Sequence, residues 1–238
     1  MPIIAVTDAG PLARAVASLF VSRGWQVAIY HIESLRENAM GIVADFGAEQ
    51  THSVALDPAS GDSWQAAIEA TRDQWGTYPQ HAVLICDNWR SGGPLHVGGP
   101  DDGGVFKKVV VFNFEAVYRS LRILLPPMVA AGSGSIAVVG SQLSERPRDG
   151  AGSAAYVAAK SASAALVQTA AQEVSAHGVR VNSVLITALD TPVSRDGLPN
   201  FDYRPWVRPE SVAKVIGFLV SDDACDVTGA TLPVYGKL

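Results

Sequence analysis

The sequence predicts an α/β fold: a doubly wound, seven-stranded parallel sheet with helices on both faces. Three observations lead there. Short apolar runs alternate with helical patterns at the spacing of strand–helix–strand units. The runs are apolar at successive positions, as in strands buried on both faces. No internal repeat and no linker interrupts the 238 residues, so a single domain over 1–238 is expected.

The elements follow in order. Ile3–Thr7 is the first strand, Asp8–Ala13 a turn, and a helical pattern runs to Arg23. Gln26–Tyr30 is a strand, Leu35–Phe46 a helix, Ser53–Leu56 a strand, Ser60–Trp75 a helix and His81–Ile85 the fourth strand. Asn88–Gly104 is rich in Gly, Pro and Asp and reads as a loop or a badly broken helix; a long loop of this kind is usually functional or disordered. Phe106–Val129 reads as one long apolar helix and Ser135–Val139 as the fifth strand. Ala151–Ser175 is Ala-rich without Pro, hence helical. Val179–Leu185 and Ala230–Val234 are the last strands. Val193–Val207 is irregular and aromatic, and Pro209–Val220 is a helix with Pro at its start.

Composition narrows function. A formal net charge of −5 without blocks of like charge argues against a nucleic-acid or anionic-membrane partner. Two isolated cysteines support neither a disulfide framework nor a zinc site, so a reduced, cytoplasmic setting is expected. The N-terminus enters a strand directly, which argues against a signal peptide, and no stretch reads as a membrane span.

Chemistry concentrates between Ser141 and Lys160. Positions i and i+4 of a helix share a face, so Tyr156 and Lys160 converge. A cation beside a phenol favours the phenolate, which is expected to lower the Tyr156 pKa and suit it to proton transfer. Ser141 ends the strand-like run before this helix, where its hydroxyl can hold a substrate oxygen. The bland alternative for the pair is a solvated helix face.

Tyr156-Val-Ala-Ala-Lys160, Ser141 after its strand, Asn113 within Val109-Val-Val-Phe-Asn113, and Arg180-Val-Asn-Ser-Val184 occur in an order that resembles the short-chain dehydrogenase/reductase family. The resemblance spans essentially the whole chain. Leu189-Asp-Thr-Pro192, Leu198-Pro-Asn-Phe-Asp202, Trp206 and Leu232-Pro-Val-Tyr-Gly236 look most like its dihydropteridine-reductase-like branch. The resemblance implies a Rossmann-like sheet and an oxidoreductase that uses NAD or NADP. It implies Tyr156 as acid or base and Ser141 as holder of the substrate oxygen, with Ser144 as fallback. Lys160 would tune Tyr156 and hold the nicotinamide ribose, and Asn113 would complete a water-linked relay. It also implies cofactor contacts at Thr7, Gly10, Leu12, His31, Asp57, Lys160 and Thr191.

Several positions depart from the family pattern. Its glycine-rich first turn appears here as Thr7-Asp-Ala-Gly-Pro-Leu-Ala13: only Gly10 survives, the turn is about one residue short, and Asp8 brings negative charge towards the phosphates. Its Asn-Asn-Ala-Gly appears as Cys86-Asp-Asn-Trp89, and its Pro-Gly after the sixth strand as Ile186-Thr187. Without Arg or Lys near His31, NAD is favoured over NADP. His31 also reads as a half-exposed strand-end histidine, and Asp57 before Pro58 as turn chemistry.

Specificity is expected from Trp89–Gly104, Leu143–Gly150 and Val193–Trp206, where Arg146, Arg148, Arg195 and Arg204 can meet an anion and Trp89 and Trp206 can wall a pocket. The partner is a small carbonyl or alcohol substrate. Two helices apolar on more than one face, Phe106–Val129 and Ala151–Ser175, point to a homo-oligomer, a dimer or tetramer, with Ala154, Ala158, Ala162, Ala165 and Ala170 allowing close approach. The competing readings are a scaffold that lost its dinucleotide and a cofactor-free lyase resembling halohydrin dehalogenases, which carry Arg where Lys160 stands here.

Overall fold

The computed structural model describes residues 1–99, 103–197 and 202–236. Seven parallel strands form one sheet in the order β3-β2-β1-β4-β5-β6-β7. They are β1 (Ile3–Thr7), β2 (Gln26–His31), β3 (Thr51–Ala55), β4 (His81–Leu84), β5 (Gly134–Ser141), β6 (Val179–Ile186) and β7 (Thr231–Val234). The chain winds outward from β1 to β3 and then reverses through β4, so the switch point lies between β1 and β4. Ligands of such sheets bind outside the carboxyl ends of the strands at that point.

Helices cover both faces: α1 (Pro11–Ser22), α2 (Arg36–Phe46) and α8 (Pro209–Val220) on one, and α3 (Gly61–Trp75), α5 (Ala116–Ala131) and α6 (Ala154–Val174) on the other. The strands divide between the two cores with period two. Ile4 and Val6 of β1 meet Phe20, Ile42 and Ile216, while Ala5 belongs with Trp64, Leu121 and Val167. Both sets are apolar because both are buried, which explains why the strand runs lack polar alternation.

Two helices differ from expectation. The segment read as one helix over Phe106–Val129 is α4 (Val105–Val110), a π-helical turn over Val111–Glu115, and α5. Asn113 sits in the π turn, and its side-chain N–H donates to the Val109 carbonyl at 2.9 Å, supplying a donor where the backbone register changes. The helix read from Ala151 begins at Ala154, because Gly152 adopts φ 86°, outside the helical region. Among the described residues no helix is long and apolar enough to cross a membrane.

Candidate active site

Tyr156 lies in the first turn of α6, against the carboxyl ends of β4 and β5, and Lys160 lies one turn further on. Lys160 is buried, with 2% of its side chain exposed. Its ammonium donates to the Cys86 carbonyl at 2.8 Å and, more weakly, to the Val139 carbonyl at 3.5 Å. It also pairs with Oδ1 of Asp87 at 2.9 Å. An ammonium has three N–H groups, so these three acceptors saturate it. The Tyr156 hydroxyl donates to the same Asp87 Oδ1 at 2.7 Å. One carboxylate oxygen therefore bridges the tyrosine and the lysine.

That bridge reverses an expectation. Lys160 alone lowers a phenol pKa. Here Tyr156 is held well above the ordinary tyrosine range, first by burial, then by the Asp87 charge and by the hydrogen bond that the carboxylate accepts from its hydroxyl. Ser141 pulls weakly the other way.

Ser141 ends β5, and its hydroxyl accepts a 3.3 Å bond from the Leu143 N–H. Ser141 and Tyr156 both line a cavity of about 460 Å³, with Asp87, Trp89, Leu143 and Leu189 among its other walls. Ser144 instead turns back to donate to the Ser141 carbonyl at 2.8 Å and is not a wall of that cavity. Asn113 is fully buried and committed to the backbone. Its Oδ1 accepts from the Asn88 N–H at 3.2 Å, and its Nδ2 donates to the carbonyls of Asn88 and Val109 at 3.0 and 2.9 Å. Asn113 thus fixes the segment that carries Asp87, and its side chain is spent on backbone groups.

The chain matches a family model described as enoyl-(acyl carrier protein) reductase over residues 6–236. It is 32% identical to a cis-4-hydroxycyclohexanecarboxylate dehydrogenase of Sinomonas cyclohexanicum, covering 96% of this chain and 92% of that protein. The chain belongs to the short-chain dehydrogenase/reductase family. A 2,5-dichloro-2,5-cyclohexadiene-1,4-diol dehydrogenase of Sphingobium indicum is 29% identical over the same shares of the two chains. The fold is shared with a short-chain oxidoreductase of Pseudomonas aeruginosa described as containing an atypical catalytic centre, with a TM-score of 0.87 at 22% identity over 100% of this chain and 97% of that one. The dihydropteridine-reductase-like branch rests on the C-terminal sequence blocks alone, and residues 198–201 of those blocks lie outside the described residues.

Family members use NAD(P)(H), so the groove can be tested for fit. At the nicotinamide end Tyr156 and Ser141 share the cavity, but the Lys160 ammonium is already spent on Cys86, Val139 and Asp87, so the ribose contact expected of it is not free in this arrangement. The pyrophosphate end does not fit as arranged. Asp8 has φ 74°, the one non-glycine residue with positive φ among the described residues. Its carboxylate accepts the Gly10 N–H at 3.1 Å, a donor that a phosphate at the start of α1 would need. Burial raises the Asp8 pKa, backbone N–H groups oppose the rise, and Asp87 adds to it. Asp8 and Asp87 thus set two carboxylates along one groove.

The remaining sequence candidates have local tasks. The Thr7 hydroxyl ties β1 to β4, accepting the Ile85 N–H at 2.6 Å. Gly10 caps α1, and the Leu12 side chain packs in the core rather than in the groove. His31 is buried, not half-exposed, with Nδ1 3.0 Å from the Ile32 carbonyl oxygen. Asp57 is exposed and accepts the Ala59 N–H at 2.9 Å, closing the turn before α3. Thr191 accepts the Ser194 N–H at 3.1 Å in the first turn of α7 (Pro192–Gly197). A smaller cavity of about 130 Å³ between Tyr30, Ile32, Leu56 and Asn88 flanks the groove on the β2 side.

The loop arginines are partly committed. Arg195 makes two bonds to Asp190, at 2.6 and 2.8 Å. Arg204 pairs with Asp202 at 2.7 Å, and Arg146 lies over the Tyr235 ring at 5.9 Å. Trp89 walls the cavity, whereas Trp206 packs edge-on against Tyr203 at 5.1 Å. Residues 100–102 of the long loop lie outside the described residues.

Sequence reasoning missed Asp87. Its signal was present, since Cys86-Asp-Asn-Trp89 replaces the family's Asn-Asn-Ala-Gly at the carboxyl end of a central strand.

Proposed function

We propose that this chain is a short-chain oxidoreductase that interconverts an alcohol and a carbonyl on a small, ring-sized, mainly apolar substrate. The observation that carries the reading is the convergence of Ser141 and Tyr156 on one cavity, with buried Lys160 beneath them. A cavity of about 460 Å³ suits a small organic molecule. Its apolar walls suit a ring, and the names of the two dehydrogenases above, both acting on substituted six-membered rings, support that class.

NAD(P)(H), with NAD(H) favoured, supplies or accepts the hydride when bound. The chain's own residues handle binding and the proton. Ser141 holds the substrate oxygen, and Tyr156 exchanges a proton with it. Lys160 and Asn113 fix the segment from Cys86 to Asn88 that closes the groove. The Gly10 N–H would hold a phosphate only with the Asp8 carboxylate turned away from it. The working form is a homo-oligomer in a reduced, cytoplasmic setting, acting on a free small molecule rather than at a membrane or on nucleic acid.

A second reading is favoured by one observation, the Asp8 and Asp87 carboxylates in the groove. In it the site does acid–base chemistry without a dinucleotide. Titration with NADH and with NADPH, followed by energy transfer from tryptophan and then turnover of cyclic alcohols, separates the two. Saturable binding with turnover supports the oxidoreductase. Binding of neither dinucleotide at millimolar concentration overturns it in favour of the second reading.

A further inference from the structure

Relays that end on a buried lysine need a route for the proton to water, and here the lysine offers none. Its three N–H groups meet Cys86, Val139 and Asp87, and Asn113 is committed to backbone. Asp87 is different. Its carboxylate accepts from both Tyr156 and Lys160, yet 46% of its side chain is exposed and it walls the substrate cavity. It is the group that touches the phenol on one side and solvent on the other.

We infer that Asp87 is the proton carrier between Tyr156 and solvent, taking the place of a water-linked route through Asn113. The inference rests on the oxidoreductase reading for its direction. In alcohol oxidation the substrate O–H breaks and its proton passes to the Tyr156 oxygen. The Tyr156 O–H breaks at the same time, and its proton passes along the 2.7 Å hydrogen bond to Asp87 Oδ1. The carboxyl then releases that proton to water. A bound NAD(P)+ would be the oxidant that takes up the hydride from the substrate C–H, so charge and atoms balance. Reduction runs the same path backwards. The arrangement seen here, a neutral phenol on a carboxylate, is the starting state for oxidation.

The charged and titratable groups facing Asp87 are Lys160, Tyr156, Asp8 and Cys86. The Lys160 ammonium meets Asp87 Oδ1 at 2.9 Å. The Cys86 thiol is pushed up to about 11, mainly by burial, and stays protonated. Asp8 opposes a second charge nearby. A purely structural role, in which Asp87 only neutralises Lys160, makes a different prediction about rescue.

The test uses the full chain, the single variants Asp87→Asn, Asp87→Ala and Tyr156→Phe, and the double variant Asp87→Asn with Tyr156→Phe. First, tyrosinate absorbance is followed through alkaline pH, and the Tyr156 contribution is taken as the difference from the Tyr156→Phe background, with Asp87→Asn made in both. The expected result is that the phenol titrates at lower pH in Asp87→Asn, because Lys160 then acts on it without the opposing carboxylate. An unmoved phenol overturns the relay whether or not turnover is found. Second, cyclic-alcohol oxidation in Asp87→Ala is expected to fall on the order of a hundredfold. Added formate, small enough for the half-exposed site, is expected to restore at least a tenth of it. Loss without rescue by formate, in a variant whose circular dichroism matches the wild type, overturns proton carriage and leaves only the ion pair. Wild-type protein without dinucleotide turnover defeats the oxidoreductase reading instead, and the phenol titration still decides the contact.

Discussion

The Tyr156 hydroxyl donates to the Asp87 carboxylate across 69 residues of sequence, at 2.7 Å, and the same oxygen pairs with Lys160 at 2.9 Å. The residue that a lysine four positions away is expected to activate is therefore held by an anion. A phenol so held keeps its proton to higher pH than a free tyrosine does.

The first prediction follows from that contact. Tyr156→Phe removes one hydroxyl and leaves the ring, so the packing of Val109 and Ala159 around it is kept. Oxidation or reduction should fall on the order of a hundredfold or more, while thermal stability and dinucleotide affinity change little. Steady-state rates beside a melting curve check it. Near-wild-type turnover would take Tyr156 out of the mechanism.

The second prediction concerns the first turn. Asp8 combines a left-handed backbone with a carboxylate on the Gly10 N–H. Asp8→Gly removes the like charge and suits the positive φ. Dinucleotide affinity should rise by about tenfold, the scale of one lost charge repulsion near a phosphate. Fluorescence titration of both proteins at the same salt measures it. Equal or weaker binding by the variant would show that this turn is not a blocked phosphate cradle.

The sequence carried the strand order of events well and the pairing poorly. β3 begins at Thr51 rather than Ser53, because Thr51 and His52 ladder with Val27 and Ala28 of β2. Those two residues are polar, so the apolar run starts later than the hydrogen bonds do. The Tyr156–Lys160 pair was legible because helical spacing is local. Asp87 was not, because its role depends on β4 ending beside α6. The π turn at Asn113 was hidden for a related reason: an apolar helix with one inserted residue keeps nearly the same periodicity. Asp57 and Thr191 carried turn and cap signatures that compete with cofactor roles, and the structure uses those local bonds.

A third prediction concerns acid stability. His81 at the start of β4 is largely buried, with Nδ1 2.7 Å from the Ser135 Oγ, and its pKa is lowered to about 4, first by burial and then by Arg180. A histidine lowered on folding binds its proton more readily in the unfolded chain. Its contribution is fully present above the unfolded value near 6.5 and is lost as pH falls towards 4. The loss should amount to roughly 3 kcal/mol over that window. His81→Gln should flatten the decline in urea-unfolding free energy between those pH values. A decline equally steep in the variant would assign acid sensitivity to other groups.

The fourth prediction is that the chain assembles through α5 and α6. Ala154, Ala158, Ala162 and Ala165 lie exposed or half-buried along α6, while Ala170, expected on the same face, is buried in the core. Beside them, Tyr118 is 45% exposed on α5. An open groove runs between the two helices, with Leu125, Val129 and Leu166 among its walls. Small side chains let helix backbones approach closely, so a second copy can lay its own pair across this groove by ridges-into-grooves packing. A twofold axis makes the patch self-complementary. Light scattering behind size exclusion should give a dimer or tetramer mass at micromolar protein. Replacing Ala158 by Arg should return it to a monomer, since the new charge would have to be buried unpaired. A monomer mass for the wild-type chain would leave these helix faces to water, and a variant still assembled would move the interface elsewhere.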